Sequence, residues 1–135
     1  MCCQPEVSSF RDLDIWQKSI QLVQLVVELT RSFPMQDADS MVLQIRRAAL
    51  SIPASIAEGW ERQKPEEFRQ FLQIALGSLR ELETCLFLSE RDNYWDAGTI
   101  QPIHDLIQGL HEQILCLFQS LKRSLVKSRE ESDAE

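Results

Sequence analysis

Gln44-Ile45-Arg46-Arg47-Ala48-Ala49-Leu50-Ser51-Ile52-Pro53-Ala54-Ser55-Ile56-Ala57-Glu58-Gly59 is the stretch whose reading decides the fold. Its apolar residues Ile45, Ala48 or Ala49, Ile52 and Ile56 recur three and four apart, the spacing of one helix face, and the pattern runs straight through Pro53. A proline inside a helix removes one backbone hydrogen bond and crowds the preceding turn, at a cost of about 3 kcal/mol, so neighbouring elements must compensate. Small residues surround it (Ala48, Ala49, Ser51, Ala54, Ser55, Ala57 and Gly59), which predicts close approach by another helix. The stretch reads as one helix kinked at Pro53. The alternative is a break at Ser51-Ile52, with Pro53 restarting a helix in its first turn, where proline is tolerated.

Three more helices flank it. Upstream, Asp12 is placed to cap a helix in which Leu13, Trp16, Ile20, Val23, Val27 and Thr30 form a bundle seam. A second stripe, Ile15, Leu22, Val26, Leu29 and Phe33, lies about 100° around the same helix. One intrachain core does not need both stripes, so the extra one is assigned to another subunit, with a wide groove between neighbouring helices as the alternative. Phe33-Pro34 ends this helix, Gln36 to Ser40 is a loop, and Asp39 or Ser40 caps the next helix. Gly59 reads as its stop.

Downstream, Pro65-Glu66-Glu67 opens a third helix with the seam Phe68, Leu72, Ala75, Leu79, Leu82 and Leu86, beside a second stripe of Phe71, Ile74, Cys85 and Leu88. Gly77-Ser78 in its middle allows another backbone to come close. After a turn at Asn93–Gly98, Thr99 caps a fourth helix carrying Ile103, Ile107, Leu110, Ile114, Leu117, Leu121 and Leu125. The expected architecture is all-α, an antiparallel up-down-up-down four-helix bundle over residues 10–129. Residues 1–9 are read as a flexible tail and residues 130–135 as a disordered acidic tail.

Composition narrows the function classes. The 135 residues, 44% of them hydrophobic, suffice for one domain. No apolar run reaches the roughly 18 residues that span a bilayer, and the start lacks the apolar segment of a leader, so a soluble, cytoplasmic protein is expected. The net charge of −7 opposes indiscriminate nucleic-acid binding, yet Glu130, Glu131, Asp133 and Glu135 supply four of those charges, leaving −3 on residues 1–129. Cys2, Cys3, Cys85 and Cys116 show no C-x-x-C spacing and read as reduced thiols, the last two buried as small hydrophobes.

No reaction centre emerges from the titratable residues. His104 and His111 stand about 10.5 Å apart along one helix, too far to share a metal without an intervening ligand. Glu81 and Glu83 diverge, and there is no Glu-x-x-His pair or glycine-rich phosphate loop. No catalytic residue, metal site, cofactor or small-molecule substrate is assigned. Arg46 and Arg47 point about 100° apart and serve either phosphate or partner-carboxylate contact, or ion pairs with Glu58, Glu81 or Glu83 that fix helix register. Lys122, Arg123, Lys127 and Arg129 give the fourth helix a basic end suited to its dipole. Arg62, Lys64 and Arg69 cluster at the connector beside Trp60, which is either a stacking group or a packed side chain.

Three blocks carry a family resemblance: Phe10-Arg11-Asp12-Leu13-Asp14-Ile15-Trp16-Gln17-Lys18, the stretch from Gln44 to Gly59, and Gly77-Ser78-Leu79-Arg80-Glu81-Leu82-Glu83-Thr84. At this spacing, over roughly residues 10–90, they resemble the four-helix bundle family named after the 23S ribosomal RNA intervening-sequence proteins. Trp16, Gln44, Pro53, Glu58, Gly59, Gly77 and Glu81 are its structural signature here, while the last helix matches only in apolar pattern. Two departures stand out: Ser55 replaces a common asparagine, and Asn93-Tyr94-Trp95 replaces a small, glycine-containing turn. The resemblance implies a ring-like homo-oligomer, a pentamer, with no enzymatic activity. It also implies a distant likeness to the accessory protein of diversity-generating retroelements, which engages reverse transcriptase and nucleic acid.

The expected function is a non-enzymatic, homo-oligomeric binding or scaffolding bundle for RNA or a nucleic-acid-associated partner. The alternative is a ring that binds RNA directly through Arg46, Arg47 and the basic end of helix four.

Overall fold

The computed structural model describes residues 7–33, 38–91 and 93–134, with all of their side chains except those of 38–40. A 3-10 turn (Phe10–Asp12) leads into α1 (Asp14–Arg31), α2 (Ala38–Glu61), α3 (Pro65–Arg91) and α4 (Ala97–Asp133), and there is no strand among the described residues. The readings of Cys2-Cys3, of the stop at Pro34, and of the side-chain cap from Asp39 or Ser40 lie outside the described part.

The start of the fold is more ordered than the sequence implies. Ser8 and Ser9 donate their N–H groups to the Asp12 carboxylate at 3.2 and 3.1 Å, and Ser9 Oγ accepts from the Arg11 N–H at 3.2 Å. Ser8 and Ser9 are therefore tied to Asp12, Ser9 in a capping box, and do not belong to a flexible tail. Asp12 is spent on that box, and α1 starts one residue after Leu13, which offers no side-chain cap.

On α1 the two apolar stripes exchange roles. Ile15, Leu22, Val26, Leu29 and Phe33 are buried in the core, whereas Leu13, Trp16, Ile20, Val23 and Val27 are half-buried. The second stripe is thus core and is not left over for another subunit. Leu13, Trp16 and Val23 pack along the core's margin, and Trp16 meets Phe10 edge-on at 5.3 Å. Two apolar stripes about 100° apart are equivalent to periodicity alone, so only the neighbouring helices decide between them.

α2 passes through Pro53 as one helix, which sets aside the break at Ser51-Ile52. Proline leaves the Ala49 carbonyl without its helical donor. Packing compensates: Ala48, Ala49, Ile52, Pro53, Ser55 and Ile56 are all buried. Gly59 lies inside α2, which runs on to Glu61, and is therefore not the stop; the left-handed residue of the connector is Gln63, at φ 55. A Cβ on Gly59 would lie 2.6 Å from Phe71 Cβ and 3.0 Å from Phe68 Cδ2, so glycine is what lets α3 come this close.

α2 packs most extensively on α3, and α1–α2, α3–α4 and α1–α4 contacts complete the bundle. Ser51 Oγ lies 2.9 Å from Ser78 Oγ, and Gly59 meets Phe68 and Phe71, so α2 and α3 run in opposite directions along their interface. The pairs Arg69–Phe118 and Arg80–His111 give the same relation for α3 and α4. All six residues of the α3 seam and Ile103, Ile107, Leu110 and Ile114 of α4 are buried.

Both ends of α4 differ from expectation. Asp96 is the N-cap, accepting from the Thr99 N–H at 2.8 Å and its hydroxyl at 2.9 Å, because a carboxylate one turn earlier outcompetes the threonine. At the other end the helix continues to Asp133, so Glu130 to Asp133 are helical rather than disordered. No glycine or proline follows Gly109, and extending an existing helix avoids the cost of nucleation.

Candidate functional site

The adjacent arginines separate as their 100° offset requires. Arg46 turns toward α1, where its Nε donates to Thr30 Oγ1 at 2.9 Å; Thr30 is 3% exposed. Arg47 is exposed and forms no hydrogen bond or ion pair among the described residues. The carboxylates expected to hold these arginines are engaged elsewhere or stand free: Glu58 pairs with Arg62, Glu83 with Arg80, and Glu81 pairs with no cation among the described residues. The register contact is therefore a neutral hydroxyl on α1. Nothing in the residue types pointed to Thr30, which reads from sequence as one more member of a seam.

Arg47 sits on an outward face that sequence reading missed. Leu43 and Leu50 are 50% and 58% exposed on α2, and Ile74 and Leu88 are 50% and 45% exposed on α3. Ala54, Gly77 and Glu81 are exposed among them. The second stripe of α3 thus divides: Cys85 is buried, Phe71 half-buried, and Ile74 and Leu88 face out. The available signal was the four-three-four spacing of Leu43, Arg47, Leu50 and Ala54, a second seam opposite the core seam of α2.

The basic residues at the α2–α3 connector border a groove. The groove, of ≈ 490 Å³, is lined by Gly59, Trp60, Lys64, Phe68, Leu117 and Leu121 among others. Trp60 is half-buried, edge-on to Phe68 at 5.9 Å, and so packs while keeping one side open to this groove. Arg62 is occupied by Glu58 at 3.0 Å and by the Phe71 ring at 5.4 Å, and Arg69 stacks on Phe118 at 4.2 Å. Beyond Leu121, α4 leaves the core, and Lys122, Arg123, Lys127 and Arg129 are exposed with no ion pair among the described residues. These cations do not cap the helix: its last turn contains no base, because three carboxylates follow them.

A polar groove of ≈ 510 Å³ between α3 and α4 gathers Arg80, Glu83, His104, His111 and Glu112. Arg80 donates to His111 Nε2 at 2.9 Å and pairs with Glu83, while His104 rests edge-on against Trp95. The two histidines thus have separate partners. No trio of metal-ligating side chains converges among the described residues. Cys85 is buried, and burial first, then the Glu81 charge, raises its thiol pKa; Cys116 is exposed, contrary to expectation. Of these two thiols Cys116 is therefore the accessible one.

These features define an all-helical bundle with exposed aliphatic side chains on α2 and α3, an apolar groove at the α2–α3 connector and exposed cations on α4. Residues 11–115 match the model of the family described as 23S rRNA-intervening sequence protein, and the chain belongs to that family. A solved structure from Bacteroides thetaiotaomicron, of a protein with unknown function from the S23 ribosomal protein family, is similar at a TM-score of 0.72 and 26% identity, over 77% of this chain and 97% of that one. No curated protein matches the chain. No helix among the described residues is long and apolar enough to cross a membrane.

Proposed function

We propose that this protein is a non-enzymatic, cytoplasmic, homo-oligomeric scaffold that presents itself to RNA or to a nucleic-acid-associated partner. The observation that carries the reading is the outer face of α2 and α3, where Leu43, Leu50, Ile74 and Leu88 are each about half exposed. Large aliphatic side chains left half exposed on two helices packed side by side support an interaction site there. Light scattering from 1 to 100 µM tests it: a stable multimer is expected, and a monomer throughout refutes it. Leu50→Glu combined with Ile74→Glu should lower the mass while leaving the helical circular dichroism unchanged.

A second reading, direct RNA binding, draws on the unpaired cations of α4. Arg47 joins them as a solvent-facing cation, whereas Arg46 is committed to Thr30. Phosphate contact releases counterions, so affinity for a structured RNA would fall steeply with salt. No mobility shift at low salt ends this reading and leaves the scaffold standing.

A further inference from the structure

The groove at the α2–α3 connector continues into the exposed end of α4, and we propose that together they bind an acidic amphipathic helix of a partner protein. The site uses none of the exposed aliphatic residues on the outer face of α2 and α3. Trp60, Pro65, Phe68, Leu117 and Leu121 give the groove a mainly apolar lining, to which the connector adds Gln63 and Lys64. Glu61, Glu66 and Glu67, the carboxylates nearest to Lys64 in sequence, are not among the lining residues.

The α4 wall of this groove extends beyond the bundle. At about 100° per residue, Leu117, Leu121, Ser124, Leu125 and Ser128 share about 100° of arc on α4. Leu117 and Leu121 line the groove, so Leu125 carries the same face past the core, and the strip from Leu117 to Ser128 runs about three turns, or about 16 Å. Cations bound it on both sides. Lys127 lies about 60° beyond one edge, and Arg129 and Lys122 lie about 40° and 60° beyond the other. Lys64 adds a further cation from the connector. All four are exposed, and none has an ion pair among the described residues. Glu131, one turn past Lys127, sets the outer limit of the strip, since an acidic partner is repelled there.

A leucine strip between two rows of unpaired cations specifies its complement: apolar side chains three and four residues apart, with carboxylates on either side. The same charges oppose a basic helix. A nucleic acid matches less well, because strand-binding surfaces interleave aromatic rings with their cations, and the residues between these cations are leucine and serine. An extended peptide would find no strand edge to pair with among the described residues, whereas an apolar strip of three turns suits a helix laid in a groove.

The test selects binders to the full-length chain from a display library of random peptides of about 14 residues, roughly 21 Å as a helix. Enriched sequences should be acidic, with apolar residues at helical spacing, and should shift an emission signal that is absent from Trp60→Phe. Leu125→Glu and Lys64→Glu change residues outside the core, so they should keep the helical signal while each weakens the selected peptides about tenfold or more in fluorescence anisotropy. Leu50→Glu combined with Ile74→Glu should bind these peptides as the wild type does. No enrichment, enrichment of basic or unpatterned sequences, or affinity unchanged in Leu125→Glu and Lys64→Glu overturns the proposal. Peptide binding lost with Leu50→Glu and Ile74→Glu instead moves the contact to the outer face, which overturns the groove and leaves the scaffold reading. A structured RNA that binds where no peptide does, and is lost in Lys64→Glu, makes the site a phosphate surface. A fall in sedimenting mass on Leu125→Glu gives the groove to a second copy of this chain; either result overturns the acidic helix.

Discussion

Replacing Gly59 with alanine is the sharpest probe of the α2–α3 interface, because propensity and packing predict opposite signs. In a helix interior alanine is better than glycine by about 0.5–1 kcal/mol, so an open site would gain. At Gly59 the new methyl would lie 2.6 Å from Phe71 Cβ, an atom held close to the α3 backbone, and 3.0 Å from Phe68 Cδ2. Relief requires α2 and α3 to move apart, and overpacking of this kind costs about 1–3 kcal/mol. The net expectation is a loss of about 1–2 kcal/mol, or about 3–10 °C in melting temperature for a chain of this size. Gly77→Ala is the internal control: with nothing within 4 Å of its Cβ, the isolated chain should become more stable. Urea titration followed at 222 nm, below the assembly concentration and with unchanged slope, measures both. A Gly59→Ala chain as stable as the wild type, or more so, would refute the close approach of α2 and α3.

Three further outcomes are expected. Arg46→Ala and Thr30→Val should each destabilise by about 1 kcal/mol, and a double-mutant cycle should show that the losses overlap, since both remove the same Nε–Oγ1 bond. Asp96→Ala should lower the melting temperature at pH 7. The Thr99 N–H, then its hydroxyl, hold the Asp96 carboxyl below its ordinary value, so its stabilisation is complete above the ordinary carboxylate value of about pH 4 and is lost as pH falls through the lower folded-state value; the difference from wild type should shrink on acidification. In a Cys2→Ser, Cys3→Ser background, a thiol reagent should label exposed Cys116 at once and buried Cys85 only on unfolding; rapid double labelling of the native protein would contradict the burial of Cys85.

The sequence made the helices and most of the core legible because a period near 3.6 is a local property of the chain. The seam of α3 and the passage of α2 through Pro53 follow from it. What it left open depended on neighbours. On α1, two stripes of equal apolarity compete, and only contacts with α2 and α4 select Ile15, Leu22 and Val26. The two arginines are identical in type, yet Thr30, 16 positions away, takes one of them and leaves the other in solvent. Gly59, read as a stop, and Gly77, read as a point of close backbone approach, are both helical, yet it is Gly59 that Phe71 crowds while nothing lies within 4 Å of a Cβ on Gly77. Caps were misplaced for a simpler reason: a run such as Asp96-Ala-Gly-Thr99 offers two acceptors one turn apart, and the carboxylate is the stronger one.

The end of α4 bears on the choice between scaffold and direct RNA binder. Roughly a dozen residues, Lys122 to Asp133, leave the core as about 18 Å of exposed helix. Their cations come first and their carboxylates last, against the preference of a helix C-terminus for positive charge. Glu130, Glu131 and Asp133 lie within about one Debye length of Lys127 and Arg129 along the helix at 0.1 M salt, so they weaken the positive field these two cations offer a phosphate. If the cations contact RNA, neutralising Glu130→Gln, Glu131→Gln and Asp133→Asn together should tighten binding several-fold at low salt, with the gain shrinking as salt rises. It should also firm the helix end, visible as slower amide exchange over residues 126–133. A firmer helix with unchanged RNA affinity would separate the two effects: the carboxylates would act on the helix dipole alone, and the basic run would not be a phosphate-binding surface.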